Sequence, residues 1–419
     1  MYAKTSIYMF GVSLNIHQLI SLILYMKIAM FLDTAFPPDS RVENEAISLI
    51  KAGHEVYLFS LDYENRPSRE IHNGIKICRY KAGKLTYKLS ALAFTFSIFH
   101  QLITPKIRQF IDDIRPDILH AHDMVIAKAV MKANSGLKVV VDLHENRPEI
   151  MKFYKHVNAF PGKWLISPKL WEYEQDVLIK KADKLILVTE EAKQVVVGKG
   201  IKDTGDIVVV PNTILPEVYL NYTIDNQIVE KFKNQYTIVY LGDTSFRRGT
   251  DTAIKAIKHL LDQIPNIQLV FVGNSSVDND LKALAISEGV ESHVAFEGWQ
   301  DVSLFPSYTL AADICISPLK KNPHHDTTFA NKLFQYMAMG KPVVVSDSTT
   351  QANVVKEENC GLVHEADNEK DFANKILTLY KDKELSDKLG SNGKMAVEQR
   401  WNWDITSKDL IEMYDLIGR

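Results

Sequence analysis

The sequence predicts an α/β protein made of two doubly wound, Rossmann-like domains. Three observations carry that expectation. Short β-branched runs alternate with helix-period segments along most of the chain. The runs are apolar throughout, as in parallel strands covered on both faces. The alternation lapses over Pro211–Gln235 and then restarts. A chain of 419 residues suits roughly two to three domains. Hydrophobic residues at 46% and charged residues at 24% are ordinary globular values, which excludes disordered, collagen-like and coiled-coil classes. The net charge of −3 provides no basic field for nucleic acid, and no nucleic-acid partner is expected. Cys78, Cys315 and Cys360 are far apart and form no Cys-x-x-Cys pair. That excludes a disulfide scaffold and a cysteine zinc ribbon, and suits a reducing, cytoplasmic compartment.

In the first half, IAMFLD (28–33) reads as a strand and Asp39–Ala52 as a helix with apolar Val42, Ala46, Leu49 and Ile50, stopped by Gly53. Further strands are EVYLFSL (55–61), Ile75–Tyr80, Ile118–His120, Val139–Leu143, Lys184–Val188 and Ile207–Val210. Pro211–Gln235, with Pro211, Pro216 and several Asn and Tyr residues, reads as the interdomain connection. The second half holds strands at 237–242, 268–273, 294–298, 313–318, 342–347 and 361–366. Its helices are expected at Thr250–Leu261, Asp278–Gly289, Val302–Ala311, Ala330–Met339, Asp371–Tyr380, Leu385–Gln399 and Asp404–Ile417. Two such halves place the expected site in the cleft where they face each other.

Residues 1–25 read as a non-core extension, with a membrane-surface anchor as the other reading. The run Leu14–Met26, LNIHQLISLILYM, is about 13 residues long, short of the ~20 a spanning helix needs. Ser90–Ile103 is the next most apolar stretch and follows Lys81, Lys84 and Lys88. It reads as a helix packed on a sheet, and the basic flank also suits contact with an anionic bilayer.

Two junctions in the second half carry chemistry. In LGDTSFRRGTDTAIKA a strand ends at Gly242, Arg247 and Arg248 follow on a short loop, and Gly249 precedes a helix. Guanidinium forks beside a glycine suit a diphosphate. In HHDTTFANKLFQYMAMGKPVVVSD a polar loop enters a helix whose first-turn N–H groups, near Phe329 to Asn331, are free to bind an anion, with Lys332 adding charge.

These stretches resemble the retaining family-4 glycosyltransferases of GT-B fold, also known as group 1 glycosyltransferases. The similarity runs through LGDTSFRRG, VFVG, VAFEGW, AADICISPL, LFQYMAMGKPVVVSD and CGLVHEAD. It also takes in FPPDSRVENEAISLIKAGHEV, DILHAHD, VVVDLHENRPE, KKADKLILVTEEAK and VVVPNTI, in family order over about residues 26–419. The resemblance implies an acceptor-binding domain at 26–215, a nucleotide-sugar domain at 236–400, and a terminal helix at 401–419 packing back on the first domain. It implies that Arg248, with Arg247, holds the donor phosphates and stabilises the leaving diphosphate. Backbone N–H groups of Thr328–Asn331, including Phe329 and Ala330, would bind the same phosphates beside Lys332. Gly298 and Trp299 fall at the nucleotide base. His144 falls where relatives place a histidine reaching the donor sugar, and Glu145 beside it is placed to orient the acceptor.

One departure stands out. The family's paired glutamates fall on Thr327 and Gln335. A Gln oxygen can still accept ribose hydroxyls, whereas Thr327 is a poor substitute at the transferred sugar. Asp326, His324 and His325 are the alternatives there. The implied reaction is a metal-independent hexosyl transfer from UDP- or GDP-sugar to a glycan or lipid-linked acceptor, in surface polysaccharide assembly. No cofactor is implied beyond the nucleotide-sugar co-substrate. An inner-leaflet acceptor would suit peripheral membrane contact. The alternatives are a GT-B nucleotide-sugar epimerase and a non-catalytic nucleotide-sugar-binding protein.

Other constellations read as structural. Asp278-Asn279-Asp280 matches a metal-binding Asp-x-Asp but precedes a helix, where such residues cap. His120-Ala121-His122-Asp123 fails the His-x-His-x-Asp zinc spacing, because Met124 stands two after His122. These histidines read as a strand end, with His122 on the acceptor side. Gly-x-Gly-x-x-Gly, P-loop and Gly-x-Ser-x-Gly motifs do not occur.

Overall fold

In the computed structural model, which describes residues 7–9, 12–14 and 25–418, the chain divides into two compact units. The first runs up to Val210 and takes in the residues from Ser407 onward, and the second is Pro211–Thr406. Within the expected extension, β1 (Ile7–Met9) and β2 (Val12–Leu14) pair antiparallel, and nearly all the remainder lies outside the described residues.

The first unit is built on β3 (Lys27–Leu32), β4 (Glu55–Asp62), β5 (Arg69–His72), β6 (Ile75–Lys81), β7 (Ile118–His122), β8 (Lys138–Leu143), β9 (Lys184–Leu187) and β10 (Ile207–Val209). Their order is β10-β9-β8-β7-β3-β4-β6-β5. All neighbours are parallel except β5, which forms an antiparallel hairpin with β6. The hairpin turns on Asn73 and Gly74, both at positive φ (49° and 84°), the signature of a two-residue primed turn. The apolar stretch 90–103 is not one helix. It passes through turns and then enters the helix Ile98–Ile114, which buries Phe99, His100 and Ile103.

The second sheet consists of β11 (Tyr236–Leu241), β12 (Ile267–Val272), β13 (Val294–Gly298), β14 (Ile314–Ser317), β15 (Val343–Ser346) and β16 (Gly361–His364). It is parallel throughout, in the order β13-β12-β11-β14-β15-β16. Successive β11 residues serve opposite faces. Ile238 and Tyr240 pack into one core, and Val239 and Leu241 into the other, which is why the strand is apolar at every step.

Three expectations are corrected. Residues 211–235 are not a connection. Ile214, Tyr219 and Phe232 are apolar anchors buried in the second unit's core, with helices Pro216–Tyr219 and Asn226–Phe232 between them. The expected terminal helix is split. Trp403–Thr406 stays with the second unit, where Trp403 N–H donates to the Ile214 carbonyl, and Lys408–Ile417 belongs to the first. Val302–Ala311 begins as a 3-10 turn before the α-helix Phe305–Ala311, since Pro306 has no N–H to continue an α-helical ladder.

Both sheets share one feature that positions chemistry. Chain order reverses between β3 and β7 in the first unit, and between β11 and β14 in the second. At such switch points connections leave in opposite directions, opening a crevice at the carboxyl ends of the strands.

Candidate active site

In the second unit, β11 runs out at Leu241 and a short loop carries the two arginines. Asp243 organises it. Its Oδ1 accepts from Ser245 N–H (3.0 Å), and its Oδ2 accepts from Ser245 Oγ (2.9 Å), Arg247 Nη2 (2.8 Å) and, loosely, Arg248 Nε (3.5 Å). Burial opposes its ionisation, but the Ser245 N–H and the arginines hold its carboxyl below the usual range. Arg247 and Arg248 are only 13% and 22% exposed, so neither waves in bulk solvent. The loop closes on Gly249, whose φ is +72° and where a Cβ would lie 1.7 Å from the Pro318 carbonyl oxygen. Only glycine lets the arginine turn press against the exit of β14.

Lys332 comes in from the other side of the switch point. Its Nζ lies 3.4 Å from the Tyr240 ring centroid and 3.6 Å from where a Gly242 Cβ would stand. Arg247, Arg248 and Lys332 thus converge on the carboxyl end of β11, with Asp243 as the carboxylate among them.

The neighbouring loop is more structural than the sequence suggests. Asp326 Oδ1 accepts from both the N–H (2.7 Å) and the Oγ1 (2.9 Å) of Thr349, capping the helix Thr349–Glu357. That assigns a cap to a residue expected to be catalytic. Thr327 Oγ1 donates to the Pro323 carbonyl (2.7 Å), and Thr328 Oγ1 to that of His324 (2.7 Å), so both hydroxyls serve their own turn. Phe329 packs edge-on to Phe334 and Trp401, and Ala330 is buried. The expected helix start at Ala330 moves to Lys332, after Asn331; the helix runs only Lys332–Ala338. Gln335 is half-buried on it. Gly298 ends β13 at the sheet edge and Trp299 is 70% exposed. Asp278 opens the helix Asp278–Ser287 and binds the Ser275 turn and Thr244 Oγ1.

In the first unit, a buried ion-pair network stands below the carboxyl ends of β7 and β8. Arg41, from the helix Ser40–Lys51 capped by Asp39, grips Asp142 with Nε (2.9 Å) and Nη2 (2.8 Å), and donates Nη1 to the Val210 carbonyl (2.9 Å). Asp142 Oδ2 also lies 2.9 Å from His144 Nε2 and 3.4 Å from His122 Nδ1. Burial disfavours charge on both Asp142 and His144. Arg41, then His144, nevertheless hold Asp142 well below its ordinary pKa, while Asp142 and Asp123 raise His144 to about 10. His144 is therefore an imidazolium. Its other nitrogen is 3.9 Å from Asp123, beyond a hydrogen bond. Asp123 itself sits at φ 67°, ψ 159°, a strained conformation for a side-chain-bearing residue, and its Oδ1 accepts from the His144 N–H (3.2 Å).

Expected acceptor residues fare differently. His122 is fully buried, which corrects its placement at the acceptor; its ring instead stacks on His120 at 4.4 Å. Glu145 pairs with Arg147 Nη1 at 2.8 Å. The sequence reading missed Arg41, Glu45, Asp33, Asp142 and Arg147, and named Asp123 only within a zinc-like motif that it set aside. Asp33, at the end of β3, is pushed up to about 6 by burial and by the charge of Asp123. Glu45 is pushed up to about 8 by burial and Asp142 despite Arg41. Glu45, His120, His122 and Asp142 bring one ligand atom each within 4.8 Å of one another, but Arg41 already supplies positive charge to both carboxylates at 2.8–3.0 Å. We read the group as an ion-pair network. One signal for it was available, since Asp142 and His144 share a face of the strand end in VVVDLHEN.

Comparison with known proteins then places the chain. The family model for glycosyl transferases group 1 matches residues 221–396, and that for glycosyltransferase family 4 matches residues 40–218. An uncharacterized glycosyltransferase of Methanocaldococcus jannaschii, MJ1069, is 22% identical over 375 residues, 86% of this chain and 90% of that one. A GDP-mannose-dependent alpha-(1-6)-phosphatidylinositol monomannoside mannosyltransferase of Mycobacterium tuberculosis is 26% identical over 178 residues, 42% of this chain and 46% of that one. Sucrose-phosphate synthase from Thermosynechococcus elongatus superposes with a TM-score of 0.74 at 18% identity, over 94% of this chain and 99% of that one. Anabaena Alr3699/HepE, solved in complex with UDP, gives 0.67 at 16% identity, over 93% and 99%. The fold is GT-B, two units each of Rossmann type. The chain belongs to the group 1 glycosyltransferases and is a transferase enzyme.

Proposed function

We propose that this enzyme moves a sugar from a nucleoside-diphosphate donor, UDP- or GDP-linked, to a hydroxyl of a glycan or lipid-linked acceptor, with retention at the anomeric carbon. The observation that carries the donor assignment is the charge imbalance at β11. The guanidinium groups of Arg247 and Arg248 converge there beside the Lys332 amine, and both share the carboxylate of Asp243, which leaves positive charge in excess even without a charge on Lys332. Surplus, partly desolvated positive charge of this kind is complementary to a diphosphate, most of all as it departs with the bonding electrons. A relative acting with GDP-mannose and a neighbour solved with UDP support the same class of donor. Calorimetric titration with UDP and GDP tests it. Arg248→Ala should weaken binding by about 1 kcal/mol or more, the worth of a charge-assisted hydrogen bond. An affinity unchanged by the substitution would rule out Arg248 as a phosphate ligand.

Retaining hydrolases set two carboxylates about 5 Å apart around the reacting carbon. Thr327 and Gln335, where the family has glutamates, offer no such pair. We therefore favour attack from the leaving-group face, the donor phosphate taking the acceptor proton. A glycosyl-enzyme adduct trapped and seen by mass spectrometry would contradict this.

The mycobacterial relative acts on a phosphatidylinositol mannoside, which supports a lipid-linked acceptor in surface polysaccharide or glycolipid assembly. No helix among the described residues is long and apolar enough to cross a membrane, so contact would be peripheral. The first unit exposes Phe160 and Trp164 (81% and 82%), in ring contact, with Lys163 between them in sequence. Aromatic tips beside lysines suit a bilayer interface. The protein should float with vesicles containing anionic lipid, and Trp164→Ala should reduce the floated fraction; equal recovery without vesicles would sink this part.

A further inference from the structure

The phosphate-facing end of β11 holds more basic groups than it can keep charged. Around Lys332 Nζ stand the guanidinium groups of Arg247 and Arg248, the carboxylate of Asp243, the Tyr240 ring at 3.4 Å, and His325 with His324 beside it. No group among the described residues accepts a hydrogen bond from Nζ. The nitrogen is closed to solvent although the residue as a whole is half-buried. Asp243 is taken up by Ser245 and the arginines. His325 Nδ1 lies 2.7 Å from the Lys320 carbonyl and 3.0 Å from Asn322 Nδ2. Its Nε2 is buried and makes no hydrogen bond among the described residues. An ammonium at Nζ would be a buried cation beside two others, the situation proteins relieve by releasing the proton.

We infer that Lys332 is a neutral amine without nucleotide and takes up a proton when a nucleoside diphosphate binds, so that donor binding consumes one proton. The inference rests on the diphosphate reading of this pocket. The proton passes from solvent buffer to the Nζ lone pair, and no other bond changes. Burial and then the charge of Arg248 hold Lys332 well below the lysine range; burial, followed by His325 and Arg248, depresses His324, and burial with Arg248 depresses His325. A diphosphate reverses the balance, because opposite charge within about 4–6 Å favours the charged form. The sign follows. The complex holds one proton more than its separate parts, so affinity falls as pH rises, by up to about tenfold per unit.

The test is calorimetric titration of the full-length protein with UDP and GDP near pH 8, where the terminal phosphate is already ionised. HEPES, Tricine and Tris serve as buffers of different ionisation heat. The slope of observed heat against buffer ionisation heat counts protons. The wild type should take up about one, and both Lys332→Met and Lys332→Arg, which cannot titrate there, close to none. Binding with zero slope in the wild type overturns the proton uptake and leaves the diphosphate site standing. A slope unchanged in both variants gives the proton to another base and overturns the role of Lys332. No binding of UDP, GDP or ADP to the wild type overturns the site reading itself. Should neither variant bind, wild-type affinity from about pH 7 to 9 decides, and an affinity that does not fall with pH overturns the inference.

Discussion

Asp142 has no exposed surface, yet it sets the charge of everything around it. Its carboxylate receives Arg41 twice and His144 once. Removing it leaves a guanidinium and an imidazolium buried without their counter-charge. Asp142→Asn should therefore destabilise the first unit by on the order of 3 kcal/mol, the usual penalty for breaking a buried pair. The His144 ring, now held near 10, should titrate several units lower in histidine NMR; a His144 still protonated at pH 9 in the variant would refute the network. The pH dependence has a definite sign. His144 keeps its proton in the fold up to about 10 but loses it near 6.5 when unfolded, so its contribution is whole below 6.5 and lost as pH rises to about 10. Glu45, raised to about 8 from 4.5, pulls the same way over its own interval. Denaturation midpoints of the first unit should fall across these ranges, and Asp142→Asn should flatten the alkaline part.

The loop from Gly242 to Gly249 shows how little sequence a tight arginine turn needs. Asp243 ties it from within, and Gly249 permits the close approach to Pro318. Gly249→Ala forces both a left-handed backbone and a clash with a carbonyl. It should cost more than about 1 kcal/mol of stability and displace the arginines, so that nucleotide-dependent stabilisation disappears as well. A urea titration with and without UDP reads both effects, and wild-type behaviour in both would show that the loop yields easily. This loop was legible in advance, because strand, arginines, glycine and helix follow each other locally. The loop from His324 to Asn331 was not. Whether Asp326 meets a sugar or caps the helix Thr349–Glu357 depends on a partner over twenty residues further on, and no local pattern reports that.

For the molecule as a whole, the last dozen residues matter more than their position suggests. The helix Lys408–Ile417 buries Leu410, Met413, Tyr414 and Ile417, and the Tyr414 hydroxyl lies 2.7 Å from His120 Nδ1 at the centre of the first sheet. Deleting residues 408–419 should strip hydrogen-exchange protection from β7 and β8 while β11 to β15 keep theirs. Uniform loss across both units, or none, would contradict the division of the chain at Val210 and Ser407.

The order of strands and helices, the α/β class and the arginine turn were all readable from the chain, because parallel strands buried on both faces and tight glycine turns write their requirements into consecutive residues. The Asn73–Gly74 hairpin was equally written there and overlooked. The network of Arg41, Glu45, His120, His122, Asp142 and His144, the capping duty of Asp326 and the exact residues at which the chain passes back to the first unit came only with the folded chain. Each depends on side chains far apart in sequence, whose charge, protonation and partners are settled by burial beside one another rather than by their neighbours along the backbone.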